Sequence, residues 1–149
     1  MSHTYDLHAA LGYQLTITAR QVERRFEAEL QALGLTRITW CVALAVGGEG
    51  LSQPSQIADF VGIDRTATSR ALRQMQAAGL VTRGRGKADG RTRPVALTPA
   101  GMARLERANA IAERARNATE SRLTKAEAEQ LRALLSKLRA EDEDPLTRL

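Results

Sequence analysis

Residues 51–101, LSQPSQIADFVGIDRTATSRALRQMQAAGLVTRGRGKADGRTRPVALTPAG, set two short helical patterns and two short apolar runs among clear turn signals. Ser52 reads as the cap of the first helix, with Pro54 in its first turn and Ile57, Ala58 and Val61 facing inward. Gly62-Ile63-Asp64 is then a turn into a second helix, which Asp64 caps and Gly79 ends. Two such helices joined by a glycine-containing turn make a helix-turn-helix. Leu80-Val81-Thr82 and Val95-Ala96-Leu97 follow as two strands, and the residues between them form a basic, glycine-punctuated loop. Pro94 has no backbone N–H to donate, which places the second strand at an edge.

The period of the second helix divides it into two faces. Thr68, Ala71, Leu72 and Met75 recur at helical spacing and point to a core. Arg65, Thr66, Ala67, Ser69, Arg70, Arg73 and Gln74 occupy the other side, and no acidic residue follows the Asp64 cap. A merely solvated face mixes in Glu and Asp. Arginine forks, hydroxyls and a small methyl are instead what the edges of base pairs accept in a major groove. Within the loop, Arg83, Arg85, Lys87, Arg91 and Arg93 surround the lone acid Asp89, and Gly84, Gly86 and Gly90 keep the tip slim enough for a minor groove. Asp89, two residues before Arg91, is placed to hold that guanidinium in one rotamer.

On either side lie long amphipathic stretches. Leu7, Leu11, Leu15, Thr18, Val22, Phe26, Leu30 and Leu33 keep spacings of three and four, predicting one helix from Leu7 to Leu33. Thr36 to Val46 is a short apolar helix ending at Gly47-Gly48, where a glycine is expected in the left-handed conformation. After the strands, Thr98 caps and Pro99 opens another helix, with Met102, Leu105, Ile111, Ala115 and Ala118 on one side. Thr124-Lys125-Ala126-Glu127 matches a capping box and starts a last helix striped by Leu131, Leu134, Leu135 and Leu138. Stripes that long, with no third layer to cover them, predict a homodimer.

Composition agrees. The 149 residues are 43% hydrophobic and 26% charged, as in a soluble globular protein. No apolar run approaches the ~20 residues of a membrane span and no signal peptide is legible, so a cytoplasmic protein without a membrane partner is expected. The net charge of +5 is carried by residues 36–98, where nine basic groups face Glu49, Asp59, Asp64 and Asp89, an excess that favours an anionic partner. The organisation expected is an N-terminal dimerisation helix (1–35), a DNA-binding domain (36–98) and C-terminal dimerisation helices (99–149). Overall the chain is mainly α with a small β-hairpin wing.

These residues resemble the winged helix-turn-helix of the bacterial MarR family of transcription regulators. The resemblance is carried by Ile63-Asp64-Arg65 opening the recognition helix, Ala78-Gly79-Leu80-Val81 closing it, the Asp89-Gly90-Arg91 wing and Leu97-Thr98-Pro99-Ala100-Gly101. Leu35-Thr36 with Trp40 extends it over nearly the whole chain. One departure is Thr68, polar where the family is usually apolar; its methyl is expected to pack while its hydroxyl bonds back to the helix. The resemblance implies a homodimeric, ligand-responsive repressor whose recognition helices enter successive major grooves of a pseudo-palindromic operator on double-stranded DNA, with Arg91 in the minor groove. It also implies a small aromatic or phenolic effector held between the dimer helices and the winged domain, with Tyr13, Arg20, Trp40 and Cys41 as candidate lining.

Other chemistries find little support. Cys41 is a lone cysteine in an apolar helix, more consistent with inert packing than redox sensing. His3 and His8 have the wrong spacing for one helical face, and no metal or cofactor site is expected. No nucleophile elbow or phosphate-binding loop occurs, so an enzyme is disfavoured. The rival class is a helical protein-interaction scaffold that carries a winged helix without reading DNA. Such a scaffold would show apolar hot spots where Arg65, Arg70 and Arg73 stand.

Overall fold

A computed structural model describes residues 4–84 and 94–139. Among them are six helices and one hairpin: α1 (Leu11–Ala32), α2 (Arg37–Gly47), α3 (Pro54–Val61), α4 (Arg65–Ala77), β1 (Val81–Arg83), β2 (Val95–Leu97), α5 (Pro99–Glu120) and α6 (Lys125–Arg139). The mainly helical winged fold expected from the sequence is the one observed.

The core gathers around α2, whose Val42, Ala43, Ala45 and Val46 are buried. Leu30 of α1, Ile57 of α3 and Leu72 and Met75 of α4 meet it, each fully enclosed. Thr36 starts α2 with a reciprocal box: its hydroxyl accepts the Thr39 N–H at 3.2 Å while the Thr39 hydroxyl accepts the Thr36 N–H at 2.8 Å. Between α3 and α4, Gly62 takes φ 76°, a conformation that L side chains resist, and so turns the chain sharply. Asp64 then accepts the Ala67 N–H at 2.7 Å as the cap of α4. Thr68 is buried with its hydroxyl donating to the Asp64 carbonyl at 2.8 Å, as its mixed character requires.

Strands β1 and β2 pair antiparallel, Val81 opposite Leu97 and Arg83 opposite Val95. The hairpin is riveted to the helices at one corner. Thr98 donates its N–H to the Leu80 carbonyl (3.0 Å) and its hydroxyl to the Gly79 carbonyl (2.6 Å), and that hydroxyl accepts the Gly101 N–H (3.0 Å).

Several boundaries differ from the sequence expectation. Helix α1 begins at Leu11, because Asp6 accepts the Ala9 N–H and Leu7 O accepts the Ala10 N–H, closing a separate turn around Leu7. Gly48 stays right-handed (φ −89°) because both Gly48 and Glu49 still bond to the Leu44 carbonyl; Gly50 (φ 68°) makes the left-handed turn. Gln53, not Ser52, precedes α3, since the Ser52 carbonyl is taken by the Val95 N–H at 2.8 Å. That bond covers the β2 edge, which is therefore not fully solvent-facing. Leu80 belongs to the turn after α4, its N–H held by Met75 O, so β1 starts at Val81. The expectations for Arg85, Lys87, Asp89, Arg91 and Arg93 lie outside the described residues.

Gly101 is the tightest approach in this scaffold: a Cβ there would sit 2.0 Å from the Leu80 carbonyl oxygen, a backbone atom held by Thr98. Gly101→Ala should therefore destabilise the protein by about 1–3 kcal/mol or more, read as a lower urea midpoint at fixed protein concentration.

Candidate nucleic-acid interface

Helix α4 shows water the face read from the sequence. Arg65, Thr66, Arg70, Arg73 and Gln74 are exposed and Ala67 and Ser69 half-buried, while Ala71, Leu72 and Met75 fill the core. Every ion pair among the described residues involves other arginines, namely Arg25, Arg37, Arg114, Arg116 and Arg132. Among the described residues Arg65, Arg70 and Arg73 have no carboxylate partner, which suits them to an external anion or base edge.

Beside this face is a recess of about 300 Å³ lined by Gln53, Pro54, Ser55, Arg65, Ser69 and Arg83, with Thr68 at its back. The first turn of α3 opens here without a side-chain cap, so its leading N–H groups lack a helical acceptor. Arg83 Nε is shielded from solvent and has no hydrogen-bond partner among the described residues. A buried unsatisfied donor, a second guanidinium and an uncapped helix start together fit a phosphate oxygen. Gln53 and Ser55 were not among the residues singled out from the sequence. Arg83 stood out there only as one of the wing's many charges; what distinguishes it is the shielding of its Nε, in a side chain that lines the recess beside the start of α3.

The candidate effector residues separate. Trp40 lines a cleft of about 320 Å³ between α1, α2 and α5, together with Val22, Phe26, Arg37 and Ala112. Its indole N–H donates to Asn109 Oδ1 at 3.0 Å, and its ring meets Phe26 edge-on at 5.0 Å. The Arg37–Glu23 ion pair stands at the same cleft. Tyr13, Arg20 and Cys41 lie outside this lining; Tyr13 packs against His8 instead. Burial raises the Cys41 thiol pKa more than the nearby Arg37 lowers it, which disfavours the reactive thiolate. Among the described residues no group of three or more His, Cys, Asp or Glu could hold a metal ion, and no single helix is long and apolar enough to cross a membrane.

Comparison with known proteins agrees with this geometry. The MarR family model matches residues 33–92. The HTH-type transcriptional repressor Rv2887 of Mycobacterium tuberculosis is 30% identical over 131 residues, which cover 87% of this chain and 94% of the relative. A crystal structure of Rv2887 in complex with p-aminosalicylic acid superposes with a TM-score of 0.63 at 29% identity, covering 87% of this chain and 98% of that one. A probable transcriptional regulator from Pseudomonas aeruginosa gives a TM-score of 0.73 at 29% identity, over 89% and 99% of the two chains. The fold is also that of a mutant MarR from Escherichia coli complexed with operator DNA, with a TM-score of 0.79, 22% identity and coverage of 92% and 99%. The chain belongs to the MarR family of winged helix-turn-helix transcription regulators.

Proposed function

We propose that the protein is a ligand-responsive repressor that binds a pseudo-palindromic operator as a homodimer. The observation that carries this reading is the outer face of α4, a helix with no acidic residue of its own, next to the recess at Arg83. In this reading residues 36–98 read DNA, while residues 1–35 and 99–149 hold the dimer together. Thr66, Ser69 and Arg70, in the first two turns of α4, contact base edges; Arg73, further along, meets phosphate. The recess seats a second phosphate. The wing residues Arg85, Lys87, Arg91 and Arg93, with Asp89 as positioning group, reach the minor groove.

Assembly is supported by what the protomer leaves uncovered. Leu11 is 68% exposed, and Leu131, Leu134 and Leu138 on α6 are 46–56% exposed. Helix α6 is held to α5 by the Arg132–Glu120 ion pair at 2.8 Å, with its leucine stripe open to a second copy. The effector, an aromatic or phenolic molecule, fits the Trp40 cleft, where a shift of α2 against α5 is felt directly. That Rv2887 was solved with p-aminosalicylic acid supports this class of ligand.

Operator selection from random DNA tests the reading. Arg70→Ala should relax preference at one base pair per half-site, at a cost of about 1–3 kcal/mol, whereas Arg73→Ala should weaken all sequences alike. A changed motif from Arg73→Ala with an unchanged one from Arg70→Ala would reverse the assignment. Arg83→Ala should lower the slope of log affinity against log salt by about one per protomer and leave the selected motif intact. An unaltered slope would remove the recess from the interface. In sedimentation, the double substitution Leu131→Asp and Leu138→Asp should convert a dimer into monomer; a wild-type protein that is a folded monomer at micromolar concentration would refute the dimer.

A further inference from the structure

The hydroxyls that stand at the recess beside α4, those of Ser55, Thr68 and Ser69, differ in access. That of Thr68 is buried and spent on the Asp64 carbonyl, and Ser69 is half-buried. Ser55 is exposed. It is the second residue of α3, after Pro54, which has no N–H to offer. The Ile57 N–H is taken by the Gln53 carbonyl at 3.0 Å, and no side chain caps this end. The Ser55 and Gln56 N–H groups are therefore left without a helical acceptor, and the positive end of the helix dipole falls on them.

The wall of the recess carries two guanidiniums, Arg65 and Arg83, and no carboxylate. Arg83 Nε is shielded from solvent without an acceptor among the described residues, a demand for an anion that is independent of the helix end. DNA meets this demand from outside. A phosphate carried on Ser55 meets it from within, because a phosphomonoester brings about −1.5 to −2 charges and three acceptor oxygens. It draws on the same N–H groups and the same arginines, and it leaves negative charge where a phosphate of the duplex has to enter. The two consequences have opposite signs: the protomer gains stability and the operator loses its seat.

We propose that Ser55 is a phosphorylation site whose phosphate fills the recess at Arg65 and Arg83 and so releases operator DNA. A serine/threonine kinase supplies the group from a nucleoside triphosphate. Ser55 Oγ attacks the γ-phosphorus, and the Oγ–P bond forms as the bond from that phosphorus to the β–γ bridging oxygen breaks. The diphosphate leaves and the hydroxyl proton passes to a carboxylate of the kinase. The proposal rests on the operator reading given above, whose recess it regulates.

The full chain translated with phosphoserine at position 55 tests it, against unmodified protein and against protein carrying the phosphate on Ser121, which is exposed at the end of α5. Phosphate on Ser55 should weaken operator binding by about tenfold or more and raise the thermal midpoint at low salt by about 2 °C or more. Arg83→Gln should abolish that rise. A midpoint lowered by the Ser55 phosphate, or a rise that survives in the double variant Arg65→Gln, Arg83→Gln, overturns the proposal, because the group is then not seated in the recess. An equal loss of operator binding from phosphate on Ser121 overturns it too, since net charge alone then suffices. Phosphopeptide mapping of the protein recovered from its native cells should find phosphate on Ser55; phosphate on other residues only, or on none, overturns the assignment. If the unmodified protein binds no operator while the Ser55 phosphate still raises the midpoint through Arg83, the repressor reading falls, and with it the release of DNA, while the seat for the phosphate stands.

Discussion

Helix α2 cannot face water, and covering it organises the molecule. After Arg37 it carries no charge, and α1, α3, α4, α5 and β2 all lie against it. Burying such a helix is favourable by roughly 25 cal/mol per Å² of apolar surface, so no neighbour can be withdrawn without exposing it. The recognition helix and the arms that leave the winged domain are thereby packed onto one common element. Interiors at crystal-like density pass displacement on rather than absorbing it. Trp40 stands where this matters most, set edge-on against α1 through Phe26 and bonded to α5 through Asn109.

The two faces of α4 answer to different demands. Its inner face obeys packing so strictly that the one polar residue there, Thr68, returns its hydroxyl to the Asp64 carbonyl. Its outer arginines make no ion pair among the described residues. The hairpin adds a related contrast: Val81 and Val95 are buried, whereas Arg83, next in the ladder, keeps a donor out of water without an acceptor among the described residues. Leaving such a group unsatisfied carries a desolvation cost of about 1–3 kcal/mol, which an incoming anion relieves.

What could be read from the sequence was what local chemistry decides. The Asp64 cap, the Thr98-Pro99 start of α5 and the Thr124–Glu127 box each involve residues within three positions, and each was legible. The period of α4 separated core from surface correctly at Ala71, Leu72 and Met75. Misplaced boundaries have non-local or competing causes. Ser52 looks like a cap until Val95, 43 positions later, takes its carbonyl. The candidate sites divide in the same way. The α4 arginines followed from one helix, but the recess at Arg83 needs the start of α3 beside it. Among the described residues Trp40 lines the cleft between α1, α2 and α5 while Tyr13, Arg20 and Cys41 do not, because sequence alone does not say which helix will lie opposite a side chain.

Because the outer side chains of α4 make no ion pair among the described residues, they can be exchanged during evolution with little penalty to folding. Target choice and architecture are then under separate selection. A duplicated copy of this chain can wander toward new promoters through a handful of surface changes while its buried helix, its corner at Gly101 and its leucine stripes stay as they are. The latter give it a hazard as well as a freedom: sister copies that keep the same stripes remain able to pair with each other, so divergence of regulons has to be accompanied by divergence of the arms.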